Sequence, residues 1–126
     1  SDLNGSSGGD VFRFALLDSR LGAMDRITDF VIGSDSLDLT ESYTIASAQL
    51  QKLGSVSALS QAGIEALLTS TSFDRKGAAS FTWLDPGAGV HTFLAINDGK
   101  AGFQAGNDAL LEITGFSGDL GQLAVV

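Results

Sequence analysis

A short stretch near the start of the sequence has the residue types of a calcium-binding turn. Residues 5–13 read Gly-Ser-Ser-Gly-Gly-Asp-Val-Phe-Arg, which is one near-complete copy of the nine-residue pattern G-G-x-G-x-D-x-U-x, where U is a large apolar residue. Ser6 replaces the second glycine of the pattern. Glycines allow backbone carbonyls to point inward, Asp10 supplies a carboxylate, and such oxygens are the ligands that calcium prefers. The stretch therefore predicts calcium as a cofactor.

A single copy of this pattern supplies only part of a calcium site, because the facing turn comes from a neighbouring repeat. No second copy lies upstream in this sequence, and the missing ligands could come from the loop that follows. Asp18 and Asp25, which flank a turn at Gly22, are the candidates. The alternative is an ordinary glycine turn in which Asp10 caps the backbone without a metal.

Two other acidic groups are better explained by turns than by metal binding. Asp35 lies in a Gly-Ser-Asp-Ser turn, with Asp29 before it and Asp38 after it. We expect these to be structural turn aspartates, with a second calcium site as the alternative. Residues 97–108 carry acids at both ends of a glycine-rich loop. This loop lacks the ligand spacing of an EF-hand, so we interpret it as a long hairpin connection.

Catalysis has little support in the sequence, and we predict that the chain is not an enzyme. There is no cysteine, and the single histidine, His91, lies beside a predicted strand, where a surface role is expected. Trp83, Phe81 and Tyr43 could stack on sugar rings in a carbohydrate-binding face. Aromatic residues of this kind more often fill the core of a β-sandwich.

Composition narrows the classes of protein and partner. The chain has 126 residues, a length that suits one domain, and a formal net charge of −8. An acidic chain repels nucleic acid and anionic membrane surfaces, and no apolar run is long enough to cross a bilayer. We therefore expect no nucleic-acid partner and no membrane insertion.

The elements that must position these residues are mostly short strands. Alternating or β-branched segments predict strands over residues 11–16, 26–32, 37–39, 81–84, 90–96 and 109–114. Residues 46–53 and 61–68 have the spacing of short helices, the second with Ser60 as N-cap and Gly63 as a weakness. Residues 69–80 are expected to form a polar loop.

Three stretches resemble the C-terminal part of the serralysin-type secreted proteases of the RTX group. The matching segments are Gly-Gly-Asp-Val-Phe-Arg-Phe at 8–14, Asp-Arg-Ile-Thr-Asp-Phe at 25–30 and Gly-Ser-Asp-Ser-Leu-Asp-Leu-Thr at 33–40. Residues 93–126 match more loosely, with a closing strand at 108–115 and an apolar end, Leu-Ala-Val-Val, that resembles type I secretion signals. Residues 41–92 do not match. The zinc motif H-E-x-x-H of the protease domain is absent from this sequence, so the resemblance implies no protease activity.

The resemblance implies a fold, an export route and a set of ligands. The fold would be mainly β: the end of a parallel β-roll merging into an antiparallel β-sandwich, with one or two short helices in the middle. The carbonyls of Gly5, Ser7 and Gly8 would join Asp10 around calcium. An ABC-type export machinery would read the uncleaved C-terminus, and calcium outside the cell would then drive folding.

These observations predict one C-terminal module of a larger secreted, extracellular bacterial protein. Within it, residues 5–40 would be the roll end, 41–92 an insert, and 93–126 the closing hairpin and tail. Its function would be non-catalytic: type I export, calcium-aided folding and capping of an upstream β-roll or domain. The alternative is a β-sandwich module that binds carbohydrate or a surface partner.

Overall fold

Strands dominate the part of the chain that the computed structural model describes, which comprises residues 2–3, 11–14, 24–27, 30–32, 34–39, 50–73, 77–87, 89–98, 100–104, 108–123 and 125. The strands are β1 (Asp2–Leu3), β2 (Val11–Phe14), β3 (Asp25–Ile27), β4 (Ser36–Leu39), β5 (Leu50–Val56), β6 (Ala78–Asp85), β7 (Gly89–Ile96) and β8 (Ala109–Glu112). A helix, α1 (Gln61–Leu67), and a 3₁₀ turn (Leu120–Gln122) complete them. The predicted mainly β fold with a short helix in the middle is confirmed.

The first four strands form a parallel coil that alternates between two sheets. β1 pairs with β3 in a six-stranded sheet, and β2 pairs with β4 in a two-stranded sheet, both in parallel. One turn of the coil therefore carries the chain from Asp2 to its neighbour Arg26, and from Val11 to its neighbour Ser36. Alternation between two sheets with parallel pairing to the next strand but one is the connectivity of a β-roll.

The remaining strands extend the larger sheet, whose order is β1-β3-β8-β7-β6-β5. β6, β7 and β8 pair as antiparallel neighbours, whereas β8 lies parallel to β3 and β5 lies parallel to β6. The larger sheet is thus mixed. The antiparallel part that was expected beyond the roll comprises only the β6-β7-β8 meander.

Buried side chains lie on both faces of the larger sheet. On one face, Leu94 and Leu111 belong to a core cluster with Phe12 and Leu37 of the two-stranded sheet. On the other face, Phe81 and Phe93 stack with their ring centroids 5.4 Å apart and pack with residues of α1 and the loop after it. Successive residues of a strand point to opposite faces, so neighbours such as Phe93 and Leu94 serve different cores.

Helix α1 begins where its cap predicts. The side chain of Ser60 accepts a hydrogen bond from the backbone N–H of Gly63 at 3.1 Å, which satisfies one of the unpaired donors of the first turn. The apolar face of the helix buries Ile64. Gly63 is explained by packing, because a Cβ at that position would lie 2.3 Å from the carbonyl oxygen of Ala58.

The prediction of a helix over residues 46–53 is wrong, because residues 50–53 belong to strand β5. Residues 46–49 lie outside the described residues. The pairing of β5 with β6 shifts register between Lys52 and Ser55. This bulge leaves Leu50, Leu53 and Val56 as the least exposed residues of the strand, three positions apart. That spacing resembles a helical one, which is why the sequence pattern was misleading.

Two further boundaries differ from the prediction. β6 begins at Ala78, inside the segment expected to be a polar loop, because Ala78 is buried in one core and Ala79 in the other. The strand expected over 26–32 is shorter, since β3 ends at Ile27, and Val31 and Ile32 form only isolated bridges.

Candidate functional site

Most of the residues predicted to bind calcium fall outside the part of the chain that the structure describes. These are Gly5, Ser7, Gly8, Asp10 and Asp18. The backbone of Asp25 lies in β3, beside Leu111 of β8. Within the described ranges, no group of three or more His, Cys, Asp or Glu side chains is arranged to hold a metal ion. Calcium binding therefore stays a prediction.

The turn role predicted for Asp35 is confirmed. Its carboxylate accepts a hydrogen bond from the backbone N–H of Val31 at 2.8 Å, and its own N–H donates to the carbonyl of Val31 at 2.8 Å. Asp35 thereby closes the turn that leads into β4. Asp38 lies in β4 beside Arg13, and Asp29 is not among the described residues.

Asp108 organises the connection between β7 and β8. It is fully buried, and its two carboxylate oxygens accept the backbone N–H groups of Asp98, at 3.1 Å, and Gln104, at 2.7 Å. Burial raises the pKa of Asp108 to about 7; the two backbone hydrogen bonds lower it, and the nearby charge of Asp98 raises it further. The carboxyl group ties both ends of the connection together, in agreement with the hairpin interpretation.

A second polar cluster surrounds His91, on the face of the sheet that also carries α1. The Nδ1 atom of His91 lies 2.6 Å from Oε2 of Glu112, and Nε2 lies 3.6 Å from Oδ2 of Asp85. The hydroxyl of Thr114 donates to the same oxygen of Glu112 at 2.7 Å and accepts the backbone N–H of Thr92 at 2.9 Å. The imidazole is therefore placed between two carboxylates.

Aromatic rings hold the imidazole from the sides. Between ring centroids, Trp83 lies 5.8 Å from His91 with an interplanar angle of 31°, and Phe93 lies 6.3 Å from it with an interplanar angle of 25°. The expectation that His91 is a simple surface residue is wrong, because only 20% of its side chain is exposed.

The sequence analysis missed Asp85 and Glu112 as partners of His91. Glu112 is distant in sequence and is brought near by the register of β7 and β8, in which Phe93 faces Glu112. Asp85 was recognisable in principle: the Asp-Pro-Gly turn predicts a hairpin, and in the observed register Trp83 faces His91 with Asp85 two residues further along. Diagonal neighbours of this kind lie within reach of long side chains.

The end of the coil is a third feature, formed by the later part of the chain. Residues 109–125 follow residues 25–37 in parallel and in the same order, with Leu111 beside Asp25, Ser117 beside Val31, and Val125 beside Leu37. They thus add one more turn to the coil. Gly118 makes this approach possible: its φ is +99°, and a Cβ there would lie 2.9 Å from Ile32.

Pairing differs between the two ends of the coil. On the outer side of the added turn, β7 pairs with β8 in the antiparallel sense, so the parallel coil cannot continue in that sheet. At the other end, no described strand pairs with the outer edges of β1 and β2.

Comparison of the chain with protein-family models, with curated proteins and with solved structures gave no match. The resemblance to serralysin-type C-terminal domains is therefore a prediction that rests on the quoted residues. Among the described residues, no helix has both the length and the apolar character needed to cross a membrane.

Proposed function

We propose that the chain is a non-catalytic C-terminal module of a larger secreted bacterial protein and that it caps the end of an upstream parallel β-roll. The observation that carries the proposal is the added turn of coil, in which residues 109–125 cover the edges of β3 and β4. The outer edges of β1 and β2 would receive the preceding turn of the roll.

The physical need for a cap comes from the exposed backbone at the end of a roll. Each open strand edge presents unpaired N–H and C=O groups that can recruit another chain, and repeat arrays are commonly closed by atypical terminal units. Here the closing units are strands β7, β6 and β5, and the antiparallel pairing of β7 with β8 extends the sheet in a direction that a parallel coil cannot follow. Strands β5, β6 and β7, which lie in sequence between β4 and the added turn, thus supply the closing structure.

Calcium-aided folding belongs to the same proposal. A net charge of −8 opposes compaction, and a cation that binds only the folded chain stabilises it by mass action. Asp10, Asp18 and Asp25, with the carbonyls of Gly5, Ser7 and Gly8, are the proposed ligands.

Export through the C-terminus belongs to the same proposal, and the position of the apolar end sets a condition on it. Leu123 and Val125 are buried in the core between the two sheets, with 3% and 2% of their surfaces exposed. An export machinery of the ABC type could contact these side chains only in the unfolded chain. Low calcium inside the cell and folding outside it would keep them accessible at the required moment.

The capping role can be tested by fusing a short array of β-roll repeats to either end of the chain. With the array placed before Ser1, we expect a monomer that unfolds in one cooperative transition in calcium, because β1 and β2 accept the last repeat. The matched control carries the same array after Val126, where β7 already covers β8. We expect that fusion to self-associate and to unfold in two steps, as measured by light scattering and calorimetry.

The proposal fails if the two fusions behave alike or if only the second is monomeric and cooperative. The alternative of a carbohydrate-binding face has less support, because Trp83 is half-buried, packs against the core and contacts the ring of His91 in a tilted arrangement. A tryptophan engaged in this way offers little ring surface to a sugar.

A further inference from the structure

The atoms between His91 and Asp85 are arranged as if a cation belonged there. We propose that Nε2 of His91 and Oδ2 of Asp85 form a binding site for a divalent transition-metal ion, with Zn²⁺ as the type example. The proposal is independent of the capping role and uses none of the residues assigned to calcium.

The tautomer of His91 follows from its partners. The carboxylate of Glu112 is an acceptor, and it already receives the hydroxyl of Thr114, so the proton of a neutral imidazole lies on Nδ1 and is donated to Glu112. Nε2 then carries a lone pair. This atom is buried and has no hydrogen-bond partner among the described residues.

The carboxylate of Asp85 is also fixed in place. Its Oδ1 accepts the backbone N–H of Gly87 at 2.9 Å, within the turn between β6 and β7. Its Oδ2 lies 3.6 Å from Nε2 of His91. Two electron-rich atoms thus face each other beyond hydrogen-bond distance, an arrangement that a bound cation would stabilise.

The separation of these atoms suits a zinc ion. Zinc binds imidazole nitrogen and carboxylate oxygen at roughly 2.0–2.2 Å, so two ligands of a tetrahedral ion lie about 3.4 Å apart. The observed 3.6 Å needs only a small adjustment. Asp85 is 32% exposed, so water can complete the coordination on its side.

The surroundings of the pair are those of a metal site rather than of two chance neighbours. Metal-binding histidines commonly donate their second N–H to a carboxylate, which fixes the ring and raises its basicity. Here Glu112 has that role, Thr114 holds Glu112, and the rings of Trp83 and Phe93 restrict the imidazole from the sides. An imidazole ligand favours zinc, copper or nickel over calcium.

The test uses the untagged, chelator-treated chain and exploits the single histidine of the sequence. Long-range ¹H–¹⁵N spectra of the imidazole report the two ring nitrogens separately. On adding ZnCl₂ we expect the Nε2 resonance to shift and the Nδ1 resonance to keep the signature of a protonated nitrogen. CaCl₂ at the same concentration should leave both resonances unchanged.

Variants assign the ligands by calorimetric titration with ZnCl₂. His91→Gln should abolish binding, Asp85→Asn should weaken it at least about tenfold, and Glu112→Gln should weaken it about tenfold through the orientation of the ring. Glu65→Gln, which removes a carboxylate from α1, is the matched control and should bind as the parent chain does. Circular dichroism checks that each variant keeps its fold.

Three results would overturn the proposal. The first is an Nε2 resonance that does not respond to excess ZnCl₂. The second is an imidazole that carries protons on both nitrogens at neutral pH and stays so with zinc. The third is equal zinc affinity in folded His91→Gln or Asp85→Asn and in the parent chain, which would place the ion on other carboxylates.

Discussion

At the scale of single residues, the clusters around Asp108 and His91 show how side-chain and backbone hydrogen bonds satisfy carboxyl groups within a sheet. Asp108 directly precedes strand β8 and Glu112 is its last residue, and each accepts two hydrogen bonds. Both carboxylate oxygens of Asp108 accept backbone N–H groups, so its role is to hold the connection between β7 and β8 in place. Glu112 is satisfied by His91 and Thr114, which leaves the second nitrogen of His91 available for a ligand.

Asp108 makes the stability of the protein depend on pH. Because its pKa is raised from 3.8 to about 7, the folded chain binds this proton more tightly than the unfolded chain does. Its contribution is fully present below pH 3.8 and is lost as the pH rises through about 7. We expect the free energy of unfolding to fall across this window by up to about 4 kcal/mol from this group.

The measurement is urea unfolding at several pH values between about 4 and 8, with Asp108→Asn beside the parent chain. Asparagine does not titrate, so the variant should lose less stability across the window, although it sacrifices one of the two hydrogen bonds. Asp119→Asn, at an exposed position, is the control. Parallel curves for Asp108→Asn and the parent chain would show that this carboxyl group is already ionised throughout.

At the scale of elements, strand β5 and helix α1 show that local patterns can be misleading for different reasons. In β5, a bulge gives a strand the apolar spacing of a helix. In α1, a glycine that weakens the helix by propensity is required by the close approach of Ala58. The cap at Ser60, by contrast, is local and was predicted correctly.

Gly63→Ala separates these two effects. Helix propensity alone would favour alanine by about 1 kcal/mol, but its Cβ would lie 2.3 Å from the carbonyl oxygen of Ala58. We expect a net loss of about 1–3 kcal/mol in the free energy of unfolding, measured by denaturant titration. Ala62→Gly, at an exposed position of the same helix, measures propensity alone. A more stable Gly63→Ala variant would contradict the packing explanation.

At the scale of the whole molecule, the chain forms a coil of parallel strands whose last turn comes from residues 109–125. The intervening strands β5, β6 and β7 extend the larger sheet, and helix α1 covers its second face. One core thus lies between the two sheets and the other beneath the helix. This arrangement makes the closing turn part of the first core, so capping and core formation depend on each other.

Calcium should act on the whole molecule by stabilising its folded state. We expect a higher midpoint of thermal unfolding in calcium than in chelator, and a smaller rise in Asp10→Ala. A calcium concentration about 100-fold above the dissociation constant would add about 2.7 kcal/mol. Glu65→Gln controls for the loss of one negative charge. A midpoint that calcium does not change would remove the calcium dependence from the proposed function.

The sequence by itself determined the features that arise from neighbouring residues. Alternation of residue types predicts the strands around residues 81–84 and 90–96. A side chain that hydrogen-bonds to nearby backbone explains the cap at Ser60 and the turn at Asp35. These local signals are reliable because the interacting groups lie within a few positions of each other. The parallel coil, in contrast, was predicted only through resemblance.

Only the tertiary structure decided which distant segments meet. Strand register, which depends on how whole strands fill the two cores, sets three such contacts. They are Ser117 beside Val31, Val125 beside Leu37, and Glu112 beside His91. The bulge in β5 was hidden for the same reason, since only pairing with β6 reveals it. Sequence alone therefore gave the mainly β class, whereas tertiary packing assembled the cap and the His91 cluster.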